Sequence, residues 1–236
     1  MSNQGKWAIV TGGSRGLGFE TAKSLRAQGH QIVLVAKDKD RLVEAASQLD
    51  CEYRAVDLAD LDAAKKAFEE MLESFGTPEI LVLAHGVMSA KMSKTLKTDN
   101  EEWRRVMAIN LDSVFCAVNT LAAPMAEARN GRVIIFSACL GRMSGPGNAG
   151  GLAHYRIIKA GVNAFVRNLA HETGLGARGV LVDAVCPNHS RTDMGGPDAP
   201  RSAEQGAATA LWLATREFNA GDTTGVLWED NQIVQW

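Results

Sequence analysis

The sequence lacks any long apolar run and any excess of charge of one sign. No stretch reaches the roughly 18 consecutive apolar residues that a transmembrane helix needs, so no membrane span is predicted. The 25 lysines and arginines nearly balance the 27 aspartates and glutamates, which leaves no overall basic field to attract nucleic acid or an anionic membrane. We therefore expect neither nucleic acid nor a membrane as a partner.

Signal and metal-binding patterns are also missing. The N-terminal stretch MSNQGKWAIVTGG passes from a short polar lead directly into a strand-like run, without the apolar segment or cleavage site of a signal peptide. The four cysteines show neither a CxxC pair nor metal-ligand spacing, and they are Cys51, Cys116, Cys139 and Cys186. Scattered thiols suit a reducing cytosol, so we predict a cytoplasmic protein without a metal site.

What is present is a regular alternation of short β-branched runs and longer helical patterns, which is typical of parallel strands joined by crossover helices. A length of 236 residues with 46% hydrophobic content suits one domain, 1–236, in which residues 188–202 form a substrate loop or lid. The predicted strands are 7–11, 31–36, 53–56, 79–84, 132–137, 181–186 and 225–228. The predicted helices are 16–29, 39–49, 61–76, 100–128, 153–174 and 202–215.

The motif TGGSRGLG, residues 11–18, stands between the first predicted strand and the first predicted helix. Its glycines, Gly12, Gly16 and Gly18, allow a sharp turn and close approach to a pyrophosphate, while the helix N-terminus offers free amide donors. The spacing is GxxxGxG rather than the common GxGxxG. A purely structural turn is the alternative, which the position at the start of an α/β chain disfavours.

A second motif, YRIIK, sets Tyr155 and Lys159 four residues apart in a predicted helix. Both side chains then lie on one helix face, where an ammonium close to the phenol stabilises the phenolate. A free phenol titrates near pH 10 and has to come closer to neutrality to exchange protons usefully. The alternative is an ordinary surface tyrosine with a lysine one turn later.

These motifs occur together with Asp57-Leu58, Asn110 and a serine-bearing strand end at suitable distances. In this combination the sequence resembles the short-chain dehydrogenase/reductase family over nearly the whole chain, and RTDMGGPDAPRS and WLAT make it most similar to short bacterial carbonyl-reductase-like members. The resemblance implies an α/β fold, a single doubly wound Rossmann-type domain whose seven-stranded parallel sheet has three helices on each face. It also implies a homodimer or homotetramer that pairs through the helices 100–128 and 153–174.

The resemblance further implies site residues. The catalytic set is Asn110, Ser137, Tyr155 and Lys159. In the family the tyrosine gives a proton to a carbonyl oxygen as hydride arrives from nicotinamide, the lysine also holds the nicotinamide ribose, and the asparagine distorts its helix and retains a water. The cofactor-binding residues are Gly12, Ser14, Arg15, Gly16, Leu17, Gly18, Lys37, Asp57, Leu58, Ala84, Gly86, Tyr155, Lys159, Pro187, Asn188 and Thr192.

The catalytic serine is the main departure from the family. The family has two adjacent serines at this strand end, of which the second is catalytic, and alignment places Ser137 on the first and Ala138 on the second. Three explanations stay open: Ser137 takes over through a local shift, Ser144 swings in from the loop, or the enzyme works without that hydroxyl. Because losing one such donor typically costs about 100- to 1,000-fold in rate, an enzyme is still predicted.

Two other motifs also depart from the family. LVLAHG replaces the usual Asn-Asn-Ala-Gly run, and His85 within it is either a proton carrier near the ribose and substrate or, as we favour, a hydrogen-bonded structural histidine. Asn188 replaces glycine in the turn beside nicotinamide, and asparagine tolerates the left-handed backbone that this turn needs. His189 follows without an assigned role, Thr192 is expected near the carboxamide, and His154 is expected to pack.

Charge indicates the cofactor. NAD-preferring members place an acidic residue at the end of the second strand, where this chain has Ala36 and then Lys37. Lys37 and Arg15 would pair well with a 2′-phosphate, so we predict NADP(H). Asp57 resembles the residue that contacts adenine. Asp38 would serve NAD instead if the register slipped by two residues.

We therefore predict an NADPH-dependent reductase that transfers hydride to a carbonyl or C=N group of a small or medium-sized substrate. One alternative keeps the dinucleotide site for non-redox isomerisation, cyclisation or dehydration, and another is a non-catalytic NADP(H)-sensing module. Substrate selectivity is assigned to segments 88–98, 139–154 and 188–202. Four methionines there either line the pocket or fill the core and loops, and they are Met88, Met92, Met143 and Met194.

Overall fold

The fold is built on one eight-stranded sheet with the strand order 3-2-1-4-5-6-7-8. The computed structural model describes residues 6–89, 94–144, 151–217, 219 and 221–236. The strands are β1 (Trp7–Thr11), β2 (Gln31–Ala36), β3 (Glu52–Ala55), β4 (Ile80–Leu83), β5 (Gly131–Phe136), β6 (Val180–Val185), β7 (Leu227–Glu229) and β8 (Gln232–Val234). β1 to β7 are parallel, as predicted, whereas β8 is antiparallel to β7 and raises the predicted count of seven strands to eight.

Seven α-helices lie within the described residues and connect the strands. They are α1 (Gly16–Ala27), α2 (Lys39–Leu49), α3 (Leu61–Phe75), α4 (Asn100–Met107), α5 (Ser113–Glu127), α6 (Ala153–Glu172) and α7 (Ala203–Thr215). Short 3₁₀ turns cover Thr95–Lys97 and Cys139–Gly141. The helix predicted over 100–128 is interrupted, because a π-helical turn, Ala108–Asp112, joins α4 to α5.

The sheet is buried on both faces, which explains why its central strands are continuous apolar runs rather than alternating patterns. Every residue of β4 and β6 is buried. On one face α3, α4, α5 and α6 pack with core residues such as Phe68 and Leu121. On the other face α1, α2 and α7 pack with core residues such as Leu25 and Leu213. This arrangement is the doubly wound α/β fold that the resemblance implies.

The eighth strand is explained by a tight hairpin. Asp230 and Asn231 connect β7 to β8 with φ values of 50° and 59°. Two consecutive residues with positive φ make a type I′ turn, whose twist suits a two-residue hairpin, and Asp and Asn tolerate this backbone better than most residues. The Asp-Asn pair between two short apolar runs is the sequence signal of this hairpin, which was not predicted.

The helical stretch Asn100–Glu127 is long and apolar enough to cross a membrane by length and composition alone. Half of its most apolar window is nevertheless buried inside the fold. Val114 and Leu121 pack into the core, and Asn110 in the middle of the stretch is buried and hydrogen-bonded. These contacts identify the stretch as a core helix of this domain.

The strand order brings a set of loops to one edge of the sheet. β1 lies between β2 and β4, so the direction in which the chain crosses the sheet reverses at β1 and β4. In doubly wound sheets ligands bind outside the carboxyl ends of the strands at such a switch point. The glycine motif follows β1, and the segments that carry His85, Ala138 and Pro187 follow β4, β5 and β6.

Candidate active site

The glycine motif forms a tight loop against the neighbouring strand ends. Gly12 and Gly16 have φ values of 67° and 58°, and a Cβ on Gly18 would clash with the carbonyl oxygen of Gly12. α1 begins at Gly16 without a capping side chain and without an acidic residue in its first turn. Its N-terminal amides are therefore available to an anion, which fits the pyrophosphate of a dinucleotide. Ser14 and Leu17 are half-buried in this loop.

The segment after β4 joins the glycine loop to Asn110. A Cβ on Gly12 would lie 2.7 Å from the backbone nitrogen of His85, and one on Gly86 would lie 2.7 Å from Asn110 Oδ1. Ala84 donates its backbone N–H to the Thr11 carbonyl at 3.2 Å. The predicted cofactor residue Ala84 thus lies against the glycine loop and Gly86 lies against Asn110, and a larger side chain at either position would push its neighbour away.

Asn110 occupies the π-helical turn and is almost fully buried. Its Nδ2 donates to the carbonyl of Val106 at 2.8 Å and to that of Val87 at 3.0 Å, while its Oδ1 accepts from the backbone N–H of Val87 at 3.0 Å. A side-chain amide that bonds neighbouring backbone groups competes with regular helical bonds. Asn110 therefore links the irregular turn to the segment after β4, and its role in holding a water stays a prediction.

Tyr155 and Lys159 lie together in the first two turns of α6. Lys159 Nζ is 5.6 Å from the centroid of the Tyr155 ring and donates to the carbonyl oxygen of Phe136 at 2.7 Å. Tyr155 is 7% exposed and Lys159 is 5% exposed. The Tyr155 hydroxyl contacts Met194 Sδ at 3.8 Å, so residue 194 of the loop 188–202 covers the phenol.

Burial controls the ionisation of this pair. It raises the pKa of Tyr155 above its usual value, and negative charge on the neighbouring Cys186 and Cys139 sulfurs adds to the rise. It lowers the pKa of Lys159 from 10.5 to about 8, because the charged ammonium loses hydration. Desolvation is the main cause of the raised Tyr155 pKa, and the stabilisation of the phenolate by Lys159 stays a prediction.

Basic side chains lie where the adenosine end of a dinucleotide would be expected. Lys37, directly after β2, pairs with Asp57 Oδ2 at 2.6 Å, and this contact lowers the pKa of the Asp57 carboxyl. Arg15 and Arg41 both pair with Asp193 Oδ2, at 2.7 Å and 3.3 Å. An exposed carboxylate held by two guanidinium groups marks a position suited to an anion such as a phosphate.

Comparisons with known proteins agree with this geometry. The model of the short chain dehydrogenase family matches residues 6–202. The 3-oxoacyl-(acyl-carrier-protein) reductase FabG of Escherichia coli (strain K12) is 33% identical over 196 residues, which cover 82% of this chain and 77% of that protein. This chain belongs to the short-chain dehydrogenase family.

Other similarities extend over the same region or the whole fold. The 3-oxoacyl-(acyl-carrier-protein) reductase of Synechocystis sp. (strain ATCC 27184 / PCC 6803 / Kazusa) is 31% identical over 193 residues, covering 79% of this chain and 75% of that protein. A blue fluorescent protein from a metagenomic library, solved in complex with NADPH, superposes with a TM-score of 0.84 at 25% identity over 98% of both chains. The predictions of the family and of an oxidoreductase are confirmed.

The two hydroxyl groups considered for the serine role in this short-chain dehydrogenase both have hydrogen-bond partners. Ser137 is buried, and its Oγ donates to Asn163 Oδ1 at 2.5 Å and lies 3.3 Å from the Lys159 carbonyl oxygen. Ser144 Oγ donates to the Trp236 carbonyl oxygen at 2.7 Å. Ala138 is half-buried with an extended backbone. Both candidate hydroxyls thus have other partners, and the catalytic role of Ser137 stays a prediction.

His85 is held between two hydroxyl groups. Its Nδ1 lies 2.5 Å from Thr11 Oγ1 and its Nε2 lies 2.7 Å from Ser113 Oγ. Ser113 donates its own proton to the Ile109 carbonyl, so the network assigns the ring proton to Nε2 and leaves Nδ1 to accept from Thr11. Burial and the Lys159 charge lower the pKa of His85 to about 3. A neutral ring with both nitrogens bonded fits the structural histidine favoured from the sequence.

The loop 188–202 closes on itself beside the catalytic pair. Asn188 has φ 58°, the left-handed conformation expected where the family has glycine. Ser190 bridges to Arg201 at the two ends of the loop, and the exposed His189 ring bonds the Gly195 carbonyl at 2.7 Å. Thr192 packs on the glycine loop, since a Cβ on Gly16 would lie 3.2 Å from its Cγ2. The loop therefore lies over both predicted halves of the site.

Three other residues singled out from the sequence differ in burial. Leu58 is buried, Pro187 is half-buried, and the fully buried His154 agrees with packing. Arg41 and Asp193 were not predicted as site residues, because they are exposed charges that only the folded chain brings together. Met92 and parts of the proposed selectivity segments, 90–93 and 145–150, lie outside the described residues.

Proposed function

We propose that this short-chain dehydrogenase reduces a carbonyl group with hydride from NADPH, and that Tyr155 is the proton donor. The observation that carries the proposal is the buried Tyr155–Lys159 pair at the carboxyl edge of the sheet, beside the uncapped N-terminus of α1. A phenol whose pKa is raised keeps its proton at neutral pH, as a general acid must. The similar reductases that act on 3-oxoacyl groups support a carbonyl carbon as the hydride acceptor.

Tyr155 and Lys159 have separate roles in this reaction. NADPH, when bound, supplies the hydride to the carbonyl carbon. The Tyr155 hydroxyl donates its proton to the carbonyl oxygen, which becomes the alcohol oxygen. Lys159 Nζ has three protons, of which one is committed to the Phe136 carbonyl, so two remain for ribose hydroxyls or the phenolate. The nearby ammonium stabilises the phenolate once the proton has left.

Charge supports NADPH over NADH. The residue after β2 is Lys37 rather than an acid, and Arg15 and Arg41 converge on one carboxylate. Exposed ion pairs contribute roughly 0–1 kcal/mol each, so a phosphate can replace Asp193 at little cost. Asp38 caps α2 by accepting the backbone N–H of Arg41 at 3.2 Å, which engages it away from a ribose. The NADPH complex of a similar structure agrees with this choice.

We further infer a 3-oxoacyl thioester as the first substrate to try, in a cytoplasmic homodimer or homotetramer. The two similar reductases named above carry a 3-oxoacyl group on acyl-carrier protein in their names. The four cysteines are free thiols, which suits a reducing compartment. The surface of α5 and α6 exposes Phe115 at 57% and Ile157 at 49%, which suits a subunit interface.

Tyr155→Phe tests the proposal, and Tyr53→Phe is its matched control because these are the two tyrosines of the chain. We expect Tyr155→Phe to lower kcat by about 100- to 10,000-fold, since the proton donor is lost, while NADPH affinity stays within about threefold. The measurements are the absorbance of reduced nicotinamide during turnover and calorimetric binding.

Unchanged turnover in Tyr155→Phe would reject the proposed acid. NADPH binding without turnover of 3-oxoacyl thioesters, ketones or imines by the unmodified chain would contradict the reductase and favour the non-redox enzyme or the sensing module. Tyr53→Phe is expected to match the parent protein in both measurements, because Tyr53 lies on the edge strand β3.

A further inference from the structure

Two cysteines that are 47 positions apart in the sequence meet beside Tyr155. The backbone N–H of Cys139 donates to Cys186 Sγ at 3.0 Å, and the two thiols also interact through their side chains. The sheet brings the two cysteines together. Phe136 of β5 pairs with Val185 of β6, so the segments that follow these parallel strands begin side by side at the same edge of the sheet. Both residues are free thiols.

The geometry allows a covalent bond between them. A disulfide needs Cβ atoms roughly 3.5–4.5 Å apart. The Cys186 sulfur already lies 3.0 Å from the backbone nitrogen of Cys139, an atom only two covalent bonds from the Cβ of that residue. The two sulfur atoms also interact directly, so the side chains are within reach of each other.

The two thiols differ in access and in acidity. Cys139 is half-buried, whereas Cys186 is 2% exposed. The hydrogen bond from Cys186 lowers the pKa of the Cys139 thiol, and the same contact with burial raises the pKa of Cys186. Because the thiolate is the reactive form, Cys139 is the thiol that meets an oxidant and Cys186 is the one that resolves the product.

The pair joins the two chain segments that follow β5 and β6 beside the candidate active site. Cys139 follows Ala138 and begins the 3₁₀ turn that ends at Gly141, where an added Cβ would lie 2.5 Å from the Lys159 backbone. Cys186 immediately precedes the left-handed turn at Asn188. Negative charge on either sulfur raises the pKa of Tyr155, because it disfavours the phenolate. A bond between the two thiols would fix both chain segments around the phenol of Tyr155.

We propose that Cys139 and Cys186 form a reversible disulfide that closes this site under oxidation by a peroxide. The Cys139 thiolate attacks hydrogen peroxide, the O–O bond breaks, and a sulfenic acid and hydroxide form. The Cys186 thiol then attacks the Cys139 sulfur, the S–S bond forms and water leaves. Two thiols and one peroxide thus give one disulfide and two waters, and a dithiol reverses the change. The effect on turnover rests on the proposed function, whereas the bond itself does not.

The test begins with the full chain, reduced and then treated with hydrogen peroxide. Free thiols are alkylated and the digest is mapped by mass spectrometry. We expect a cross-linked peptide pair that contains Cys139 and Cys186, with Cys51 and Cys116 recovered alkylated. NADPH affinity by calorimetry and turnover of a 3-oxoacyl thioester should both fall by about tenfold or more and recover with dithiothreitol.

Variants identify the residues responsible. Cys186→Ser should abolish the cross-link, and so should Cys139→Ala, a half-buried position that serves if the buried variant does not fold. The double variant Cys51→Ser, Cys116→Ser should keep the full response, because burial raises the pKa of both thiols and disfavours their reaction.

The outcomes separate this proposal from the proposed function. Absence of the Cys139–Cys186 peptide overturns it, as does a linked protein with unchanged NADPH affinity and turnover. A reduced protein that turns over none of the carbonyl substrates contradicts the reductase only, since the cross-link and the NADPH affinity still decide the disulfide.

Discussion

Lys159 and Tyr155 share one apolar environment, and burial shifts their pKa values in opposite directions. The tyrosine keeps its proton, which suits an acid that waits for a carbonyl oxygen. The lysine becomes easier to deprotonate, because its charged form is the one that burial disfavours. The pair is therefore poised for reduction at neutral pH and loses its ammonium first as the pH rises.

This difference predicts a pH profile. kcat/KM for NADPH reports groups of the free enzyme, and we expect it to fall above pH 8 as Lys159 loses the proton that serves the ribose. Lys159→Met should lower kcat/KM and remove this break. The measurement is the initial rate of NADPH oxidation from pH 6 to about pH 10. A parent profile that stays flat through pH 9, or a break that survives in Lys159→Met, would contradict the assignment.

The shifted pKa of Lys159 also makes the stability of the protein depend on pH. The folded pKa of Lys159, about 8, lies below its ordinary value of 10.5, so between these values the unfolded chain binds more protons. Stability therefore rises with pH through this window, and below pH 8 the buried ammonium lowers the free energy of unfolding. The protonated form of Lys159 thus supports activity but lowers the free energy of unfolding.

A catalytic role and a structural role of Ser137 predict different effects of its substitution on kcat and on stability. Its Oγ donates to the buried Asn163 Oδ1, so Ser137→Ala should lower the free energy of unfolding by about 1–3 kcal/mol because that oxygen loses its donor. kcat should change by less than about threefold. Denaturant unfolding and turnover at saturating substrate are the measurements.

Ala138→Ser is the companion variant, since it restores the hydroxyl that the family places there. We expect it to raise turnover of simple ketones by about tenfold or more. A fall of about 100-fold in kcat with Ser137→Ala, at unchanged stability, would instead support the catalytic role that the sequence analysis gives to Ser137.

At the scale of elements, sequence patterns located the interior strands well and the irregular pieces poorly. β1 and β2 match their predicted bounds, because a strand that is buried on both sides is a continuous apolar run. The family resemblance implied a helix distortion at Asn110, and the structure has a π-helical turn there, but the contact of its side chain with the distant Val87 was not predicted. Long-range contacts of this kind have no local sequence signal.

The loop 188–202 and the N-termini of α1 and α2 are joined through Asp193. Asp193→Asn should free Arg15 and Arg41 and tighten NADPH binding by about three- to tenfold, because each exposed pair contributes roughly 0–1 kcal/mol. NADH, which lacks the phosphate, should bind as before. Asp198→Asn in the same loop is the matched control. Calorimetry with both cofactors measures the effect, and equal changes for NADPH and NADH would refute a phosphate site at these arginines.

For the whole molecule, the alternation of strands and helices was sufficient to predict the doubly wound sheet, because parallel strands require crossover helices. The Tyr155–Lys159 pair was also predictable, since both residues lie on one helix. The thiol pair and the Arg15–Asp193–Arg41 cluster were not, because their members come from separate elements that meet only at the folded edge.

The apolar helix surface leads to the last prediction. The Phe115 ring is 57% exposed and lies 6.5 Å from that of Phe165, at the mouth of an apolar groove between α5 and α6. An apolar surface on a core helix is best explained by a second copy that covers it. Phe115→Asp should therefore convert the proposed homo-oligomer to monomers, as measured by sedimentation, because an unpaired carboxylate would be buried at the proposed interface.

Val43→Asp is the control for this change, since Val43 is 40% exposed on α2 and should leave the sedimenting mass unaltered. A Phe115→Asp protein that keeps the mass of its parent would place the interface on another surface. Loss of the oligomer together with retained NADPH affinity would locate the subunit contact at α5 and α6, away from the dinucleotide loop. That separation is expected because the groove is lined by helix side chains such as Val118 and Leu169, whereas the glycine motif opens at the carboxyl end of β1.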